Sequence, residues 1–384
     1  MMIPYGRQQI TDNDVEAVVE ALRSSFLTQG PAVPHFERAV AERVGAARAV
    51  AVNSATSALH VACAALDLGP GDWLWTSPNT FVASANCALY CGASVDFVDI
   101  DPTTWTMSPD ALAAKLESAA QERRLPKIVV PVHLCGQSCD MASIGALAKH
   151  YGFHVVEDAS HAIGGRYRGE PVGTCRHSDV TVFSFHPVKI VTTGEGGAAV
   201  TNDAALADRM ERLRSHGITR DPALMTHAPD GPWYYQQIEL GWNYRMTDIA
   251  ATLGTSQLDR LDNYVARRHA LVRRYDEAFE SLPLQRPVQH PDAFSPFHLY
   301  VIRVHDRARH RAIFEGLRAR GMGVNLHYIP VHLQPFYRRM GFAHGDFPEA
   351  EAYYAEAISL PMFPTLSEAD QDTVIAAVRA ELEL

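Results

Sequence analysis

The chain has 384 residues, 47% of them hydrophobic and 20% charged, with a formal net charge of −10. That is the composition of an ordinary globular protein, long enough for two domains or one large α/β body with an appendage. The acidic balance and the lack of any Lys/Arg block argue against binding nucleic acid or an anionic membrane surface.

In chain order, Thr11 and Asp14 suit the N-terminal cap of a first helix, whose Val15, Val18, Val19 and Leu22 form one apolar stripe. The opening MMIPYGRQQITDND is polar and carries no secretory h-region, and no apolar run reaches membrane-spanning length. A cytoplasmic setting is expected. FLTQGPAVP (26–34) reads as a loop, and PHFERAVAERVG as a second helix. A theme then repeats: a short apolar run, a turn, a helical pattern. The runs are RAVAV (48–52), DWLWTS (72–77), SVDFVDI (94–100), KIVVPVH (127–133), FHVVED (153–158) and DVTVFSF (179–185). GGAAVTN (196–202) follows closely enough to pair antiparallel. Strands alternating with helices imply an α/β fold with a mainly parallel sheet.

After about residue 245 the texture changes. One or two long helices precede a strand at HLYVIRV (298–304), a helix at HRAIFEGLRARG, a second strand at VNLHYIPV (324–331) and further helices. The expected division is a large α/β domain over 1–245, and a connecting helix with a smaller α+β domain over 246–384. THAPDGPWYYQQ (226–237) reads as a long loop. The six cysteines form no C-x-x-C pair, several sit in apolar segments, and reduced core thiols are expected.

Ligands of open α/β sheets bind beyond the carboxyl ends of the strands, and three motifs fall there. VNSATSALHVACAAL (52–66) ends a strand, turns on small polar residues and opens a helix. Free N–H groups at such a helix start bind phosphate, and Ser54, Thr56 and Ser57 add hydroxyls, although an ordinary N-cap has the same appearance. In VVEDASHAIGG (155–165), Asp158 stands just past an apolar strand. A carboxylate there can pair with a protonated ring nitrogen and keep that ring an electron sink, or simply cap the next helix. In FSFHPVKIVTTGEGGAAV, Lys189 follows a strand end, and Ser184 offers a hydroxyl to a nearby phosphate. The chain has only four lysines, Lys115, Lys127, Lys149 and Lys189, and the first three fit surface or strand-entry positions. An amine held near a sheet edge can form a Schiff base with an aldehyde cofactor. Together the three motifs describe pyridoxal 5′-phosphate.

NSATSALH, TSPNTFVASANCALYCGASVDFVDID, EDASHAIGG, FSFHPVKIVTTGEGGAAVTND, RSHGI and LGWNYRMTDIAATLGTSQL closely resemble the DegT/DnrJ/EryC1/StrS sugar aminotransferases, from about Tyr5 to Ile375. The resemblance implies the fold type I architecture of pyridoxal phosphate transferases, like that of aspartate aminotransferase. It also implies a homodimer with shared active sites. By resemblance, Lys189 holds the cofactor as a Schiff base and shuttles the proton, and Asp158 pairs with the pyridinium nitrogen. Phe81 stacks on the ring, Ala55, Thr56 and Ser184 bind the phosphate, and His161 lies near the ring hydroxyl. Many relatives carry Gln at that last position. Asn243 reaches the phosphate from a neighbouring subunit. Tyr5, the loop Ser25, Phe26, Leu27, Thr28 and the segment His327, Tyr328, Ile329, Pro330 contact the nucleotide-sugar.

Within the family, LTQGP (27–31), NSATSALH and NLHYIPV are most similar to the transaminases of pseudaminic acid biosynthesis. That implies transfer of an amino group from L-glutamate to C4 of a UDP-linked 4-keto-6-deoxy-N-acetylhexosamine. A C3 or C4 transaminase acting on another nucleotide-keto-sugar, dTDP-linked for example, shares every cofactor residue. An arginine is expected to hold the donor's distal carboxylate or the sugar diphosphate. A sugar dehydratase on the same scaffold replaces the Schiff-base lysine with histidine, which Lys189 argues against. A non-catalytic cofactor-binding regulator would have lost Lys189 or Asp158. No G-x-G-x-x-G follows the first strand, as a nicotinamide enzyme would need. His327 and His332 alone are weak grounds for zinc, and no metal is expected.

Overall fold

The structure, a computed structural model, describes residues 2–383. Helix α1 (Asp12–Arg23) starts where Thr11 donates its N–H to Asp14 Oδ2 at 2.8 Å. Helix α2 (Ala32–Val44) follows, its first residues taken from the end of the expected loop.

Seven apolar runs then form one sheet: β1 (Arg48–Val52), β2 (Trp73–Thr76), β3 (Ser94–Phe97), β4 (Ile128–Val130), β5 (His154–Asp158), β6 (Val180–Ser184) and β7 (Gly197–Thr201). Their order across the sheet is β1-β7-β6-β5-β4-β2-β3. Every pairing is parallel except those of β7, which runs antiparallel to both neighbours. Two reversals cancel, so β1 points the same way as β6. The carboxyl ends of six strands therefore share one edge.

Helices α3 (Ala55–Ala65), α4 (Ala83–Tyr90), α5 (Pro109–Glu122), α6 (Met141–Tyr151) and α7 (Ala204–Leu213) follow β1, β2, β3, β4 and β7. Successive strand residues face opposite ways, which splits the core into layers. Val50, Val52, Leu74 and Val182 pack with Leu59, Cys63 and Cys87 of α3 and α4. Ala49, Ala51, Phe183 and Ala198 pack with Phe36 and Val40 of α2. Trp75, Val129 and Val155 pack with Leu112, Leu116 and Ile144 of α5 and α6. All six cysteines are free thiols.

The long helical pattern is two helices, α8 (Asp248–Leu258) and α9 (Leu261–Ala278). Arg260, at the joint between them, is bound to the buried Asp14 carboxylate at 2.6 and 2.7 Å. Ser256 and Gln257 also donate to Asp14. Burial works against the charge on Asp14, but the bonds from Arg260, Ser256 and Thr11 hold its carboxyl below the ordinary value. The residue that caps the first helix thus anchors it to the joint 242 to 246 positions away.

Beyond α9 lies a three-stranded antiparallel sheet of β8 (Leu284–Gln285), β9 (Tyr300–Val304) and β10 (Ala357–Leu360), with β9 in the middle. It packs with α9 and the helices His310–Ala319 and Glu368–Glu383 around Leu271, Tyr275, Ile302, Leu317 and Val378. The strand expected at 324–331 does not form. Met322–Gly323 pairs with Ile3–Pro4, Asn325 makes a single antiparallel bridge to Ser359, and the segment then continues irregularly to a 3₁₀ turn at Val331–Leu333. The reason lies in side-chain direction. A strand sends neighbouring residues to opposite faces, whereas His327 and Tyr328 both line one cavity. No helix among the described residues is long and apolar enough to cross a membrane.

Candidate active site

At the shared carboxyl edge lies a cavity of about 410 Å³. Its floor comes from strand ends and its far wall from the region beyond α9. Tyr5, Ala55, Thr56, Phe81, Asp158, His161, Ser184, Lys189, His327 and Tyr328 all line it.

The turn after β1 leads straight into α3. Ser54 Oγ accepts the Ser57 N–H at 3.1 Å, which caps the helix. The N–H groups of Ala55 and Thr56, the first two helical residues, have no carbonyl one turn earlier to bond. They and the helix dipole make a docking point for an anion, with Ser184 Oγ as a further donor. The turn packs so closely on β7 that a Cβ at Gly197 would sit 2.5 Å from Ala55 N. Only glycine allows that approach.

Asp158 closes β5 and is buried. Its Oδ1 accepts the Ser160 N–H at 3.0 Å. Lys189 lies on the loop between β6 and β7, where its N–H bonds to His186 O at 2.9 Å. Protein surrounds its amine, which keeps part of its surface open to the cavity. Burial brings the Lys189 pKa down to about 8, against the opposing influence of Asp158 and Cys135. The group is therefore a nucleophile and proton carrier usable near neutrality.

Three imidazoles crowd this amine. His161 Nδ1 accepts the Cys135 N–H at 3.2 Å, so the ring proton sits on Nε2, 3.1 Å from Tyr328 Oη. Burial, then the charge on Lys189, pushes His161 well below its ordinary pKa. The same causes bring His327 to about 4. His298, with its ring 4.4 Å from that of His161, is likewise held neutral, mainly by burial. The site thus offers neutral hydrogen-bonding rings with a single titratable amine among them. Phe81, 57% exposed, presents its ring at the cavity mouth, 6.1 Å from that of Tyr328.

Other candidates lie elsewhere on the chain. Asn243 is exposed and bridges to Ser215. Ser25, Phe26, Leu27 and Thr28 form an exposed loop tied down where Gly30 and Ala32 donate to Asp248 at 2.8 and 2.9 Å. Ile329 is exposed and Pro330 buried, and neither lines the cavity. No arginine is among the described residues that line the cavity. His332 is engaged with Glu351 at 2.9 Å, and no cluster of three metal-ligating side chains occurs among the described residues.

Sequence reasoning missed His298, Thr80, Ser84 and Ser160. Thr80 and Ser84 are four apart at a helix start, a spacing that sets two side chains on one face. His298 left no signal, because its place depends on how the chain beyond α9 folds back.

The model of the DegT/DnrJ/EryC1/StrS aminotransferase family matches residues 8–379. The chain is 41% identical over 383 residues to the spore coat polysaccharide biosynthesis protein SpsC of Bacillus subtilis (strain 168), covering 98% of this chain and 96% of that protein. Among solved structures, PseC of Helicobacter pylori, an aminotransferase involved in the biosynthesis of pseudoaminic acid, superposes with a TM-score of 0.91. It is 31% identical, with 100% of both chains covered. The pyridoxamine phosphate form of the sugar aminotransferase Spr1654 from Streptococcus pneumoniae gives a TM-score of 0.90 and 31% identity over 99% of each chain, and its pyridoxal phosphate form gives 0.89 and 30%. Matches of this extent, on a cavity built at the strand ends of the same α/β fold, carry one conclusion: the chain belongs to the DegT/DnrJ/EryC1/StrS family and is a pyridoxal phosphate-dependent sugar aminotransferase.

Proposed function

We propose that the protein transfers the amino group of L-glutamate to C4 of a UDP-linked 4-keto-6-deoxy-N-acetylhexosamine, in pseudaminic acid biosynthesis. The observation that carries the reading is the buried Lys189 amine in one cavity with Asp158 and an open helix start. The likeness to PseC along both full chains supports the choice of sugar. The higher identity to SpsC favours a second reading, in which the acceptor is a different nucleotide-linked keto-sugar, aminated at C3 or C4.

The residues suit the cofactor. Ala55, Thr56 and Ser184 supply N–H and O–H donors for a phosphate, Asp158 a carboxylate for the ring nitrogen, and Phe81 a flat apolar face. Gly197 keeps the cradle clear. When bound, pyridoxal phosphate supplies a carbonyl carbon that carries the amino group and a ring that takes up the electron pair released at the substrate carbon. Lys189 would hold the cofactor covalently between turnovers. As a free amine it would carry a proton from the α-carbon of glutamate to the cofactor's carbonyl-derived carbon in the first half-reaction, and from that carbon to C4 of the sugar in the second. One amine serves both steps because both substrates enter the same cavity. Asp158 would hold the proton on the ring nitrogen. His161 and Tyr328, joined by their own hydrogen bond, would stand on the ring-hydroxyl side.

The protein works as a homodimer. Phe26 and Leu27 are 51% and 49% exposed, and Trp233 and Leu240 72% and 77%, exposed apolar side chains of the kind that a second copy would cover. In that pairing Asn243 serves the partner's phosphate site. The Ser25–Thr28 loop, with Tyr5 and the His327–Pro330 segment, contacts the nucleotide-sugar. The test is incubation of the holoenzyme and L-glutamate with a panel of UDP- and dTDP-linked 3-keto and 4-keto sugars, with the products identified by mass spectrometry and NMR. Amination of the UDP-linked 4-keto-N-acetyl sugar at C4 is expected. Exclusive turnover of another sugar replaces the first reading with the second.

A further inference from the structure

Asp158 has a second partner. Its Oδ2 accepts the Ser84 hydroxyl at 2.6 Å, across 74 positions of sequence. Ser84 lies in the first turn of α4 and is fully buried. An ionised carboxylate only accepts, so the single Ser84 proton is committed to Asp158. Ser84 Oγ also lies 2.8 Å from Thr80 Oγ1, one turn earlier. With the Ser84 proton committed, Thr80 must be the donor in that contact. The result is an ordered chain of hydroxyls, Thr80 to Ser84 to Asp158, with each direction assigned. All three side chains are at most 5% exposed, so bulk water does not compete for these bonds.

The torsion that turns an Asp carboxylate about its own axis is soft and broad. Here the plane is held from two sides. Ser160 N–H binds Oδ1 from the turn after β5, and Ser84 Oγ binds Oδ2 from α4. Neither donor satisfies every lone pair, which leaves the carboxylate able to accept from a ligand in the cavity.

We infer that Ser84, supported by Thr80, is a positioning residue that fixes the plane of the Asp158 carboxylate towards the ring nitrogen of the cofactor. The inference rests on the assignment of Asp158 to that nitrogen. It separates from a packing role, because a packing role is indifferent to whether the small side chain carries a hydroxyl.

The experiment uses apoprotein of the wild type, Ser84→Ala, Ser84→Thr, Thr80→Val and Asp158→Asn. Pyridoxal phosphate affinity is measured by equilibrium dialysis. The glutamate half-reaction is followed by the visible spectrum, and the melting temperature of each apoprotein is recorded. Ser84→Ala should weaken cofactor binding about tenfold, the scale of one hydrogen bond to a charged group. It should slow the half-reaction by a similar factor and leave the half-saturating glutamate concentration within about twofold. Ser84→Thr restores both, and Thr80→Val gives a smaller loss of about threefold in each, for the lost support of a neutral hydroxyl. Wild-type values in Ser84→Ala overturn the inference, as does a Ser84→Thr enzyme no better than Ser84→Ala. If Ser84→Ala does not fold, Thr80→Val decides: a loss at unchanged apoprotein melting temperature supports the relay and no loss overturns it. Failure of the wild type to bind pyridoxal phosphate, or an Asp158→Asn protein that binds and reacts as the wild type does, overturns instead the underlying assignment.

Discussion

Replacing Lys189 with Met should make the apoprotein more stable. Burial brings the folded-state pKa of Lys189 from 10.5 to about 8, although Asp158 and Cys135 oppose the shift. In the unfolded chain the amine keeps its proton up to the ordinary value. Between those two values the unfolded state binds more protons than the folded state, so stability rises with pH across the interval. Below pH 8 the folded protein bears the full cost of a buried ammonium. At ~1.4 kcal/mol per tenfold change in proton affinity, the upper limit of that cost is about 3 kcal/mol. The cavity is open to water, which screens the amine and reduces the expectation to about 1–2 kcal/mol. The assay is urea unfolding of the wild-type and Lys189→Met apoproteins at pH 7 and pH 10.5. Methionine also adds apolar contact at every pH, so the pH-dependent part of the difference is the measure. The variant should be the more stable at pH 7, by a margin that shrinks towards pH 10.5. An equal or less stable variant at pH 7, or a margin that does not change with pH, would refute the claim that the fold pays to keep this amine buried.

The same amine sets a kinetic expectation: the rate at which apoprotein captures pyridoxal phosphate should climb with pH through a midpoint near 8, and a midpoint near the ordinary lysine value would count against the burial argument. Gly197→Ala places a Cβ 2.5 Å from Ala55 N and 2.6 Å from Ser54 C. It should cost about 1–3 kcal/mol by overpacking and weaken cofactor affinity, read by thermal unfolding and dialysis, and unaltered values for both would contradict the close approach. Asp14→Asn leaves Arg260 without its carboxylate and should cost about 3 kcal/mol at pH 7. Because the carboxyl is held below its ordinary value, the wild type's advantage is present above that value and fades as the pH falls through the depressed one. An advantage that persists in acid would mean the charge is not what matters.

The sheet was legible because its strands are buried on both faces, so RAVAV, KIVVPVH and DVTVFSF stand out as continuous apolar runs between helical patterns. Strand-end chemistry was legible for the same reason: once β1, β5 and β6 are placed, Ala55, Asp158 and Ser184 fall at one edge without further information. The far wall was not. NLHYIPV has the composition of a strand, but its pattern cannot show that His327 and Tyr328 turn to the same side. His298 sits just before β9 like any residue entering a strand, and only the folding back of the chain brings it beside His161. Thr80 and Ser84 were visible as small polar residues, yet their meaning depends on Asp158 arriving from 74 positions away.

The walls of the cavity are drawn from both ends of the chain, from Tyr5 to Tyr328. During synthesis the sheet can emerge and order well before His298, His327 and Tyr328 leave the ribosome. A nascent chain can therefore own a cradle for phosphate without owning an enclosed site. Firm capture of the cofactor then reports that both halves of the protein have met, and binding that favours only the assembled state adds its own stabilisation at that moment. Cofactor supply would thereby influence how much folded protein accumulates as well as how much of it is active.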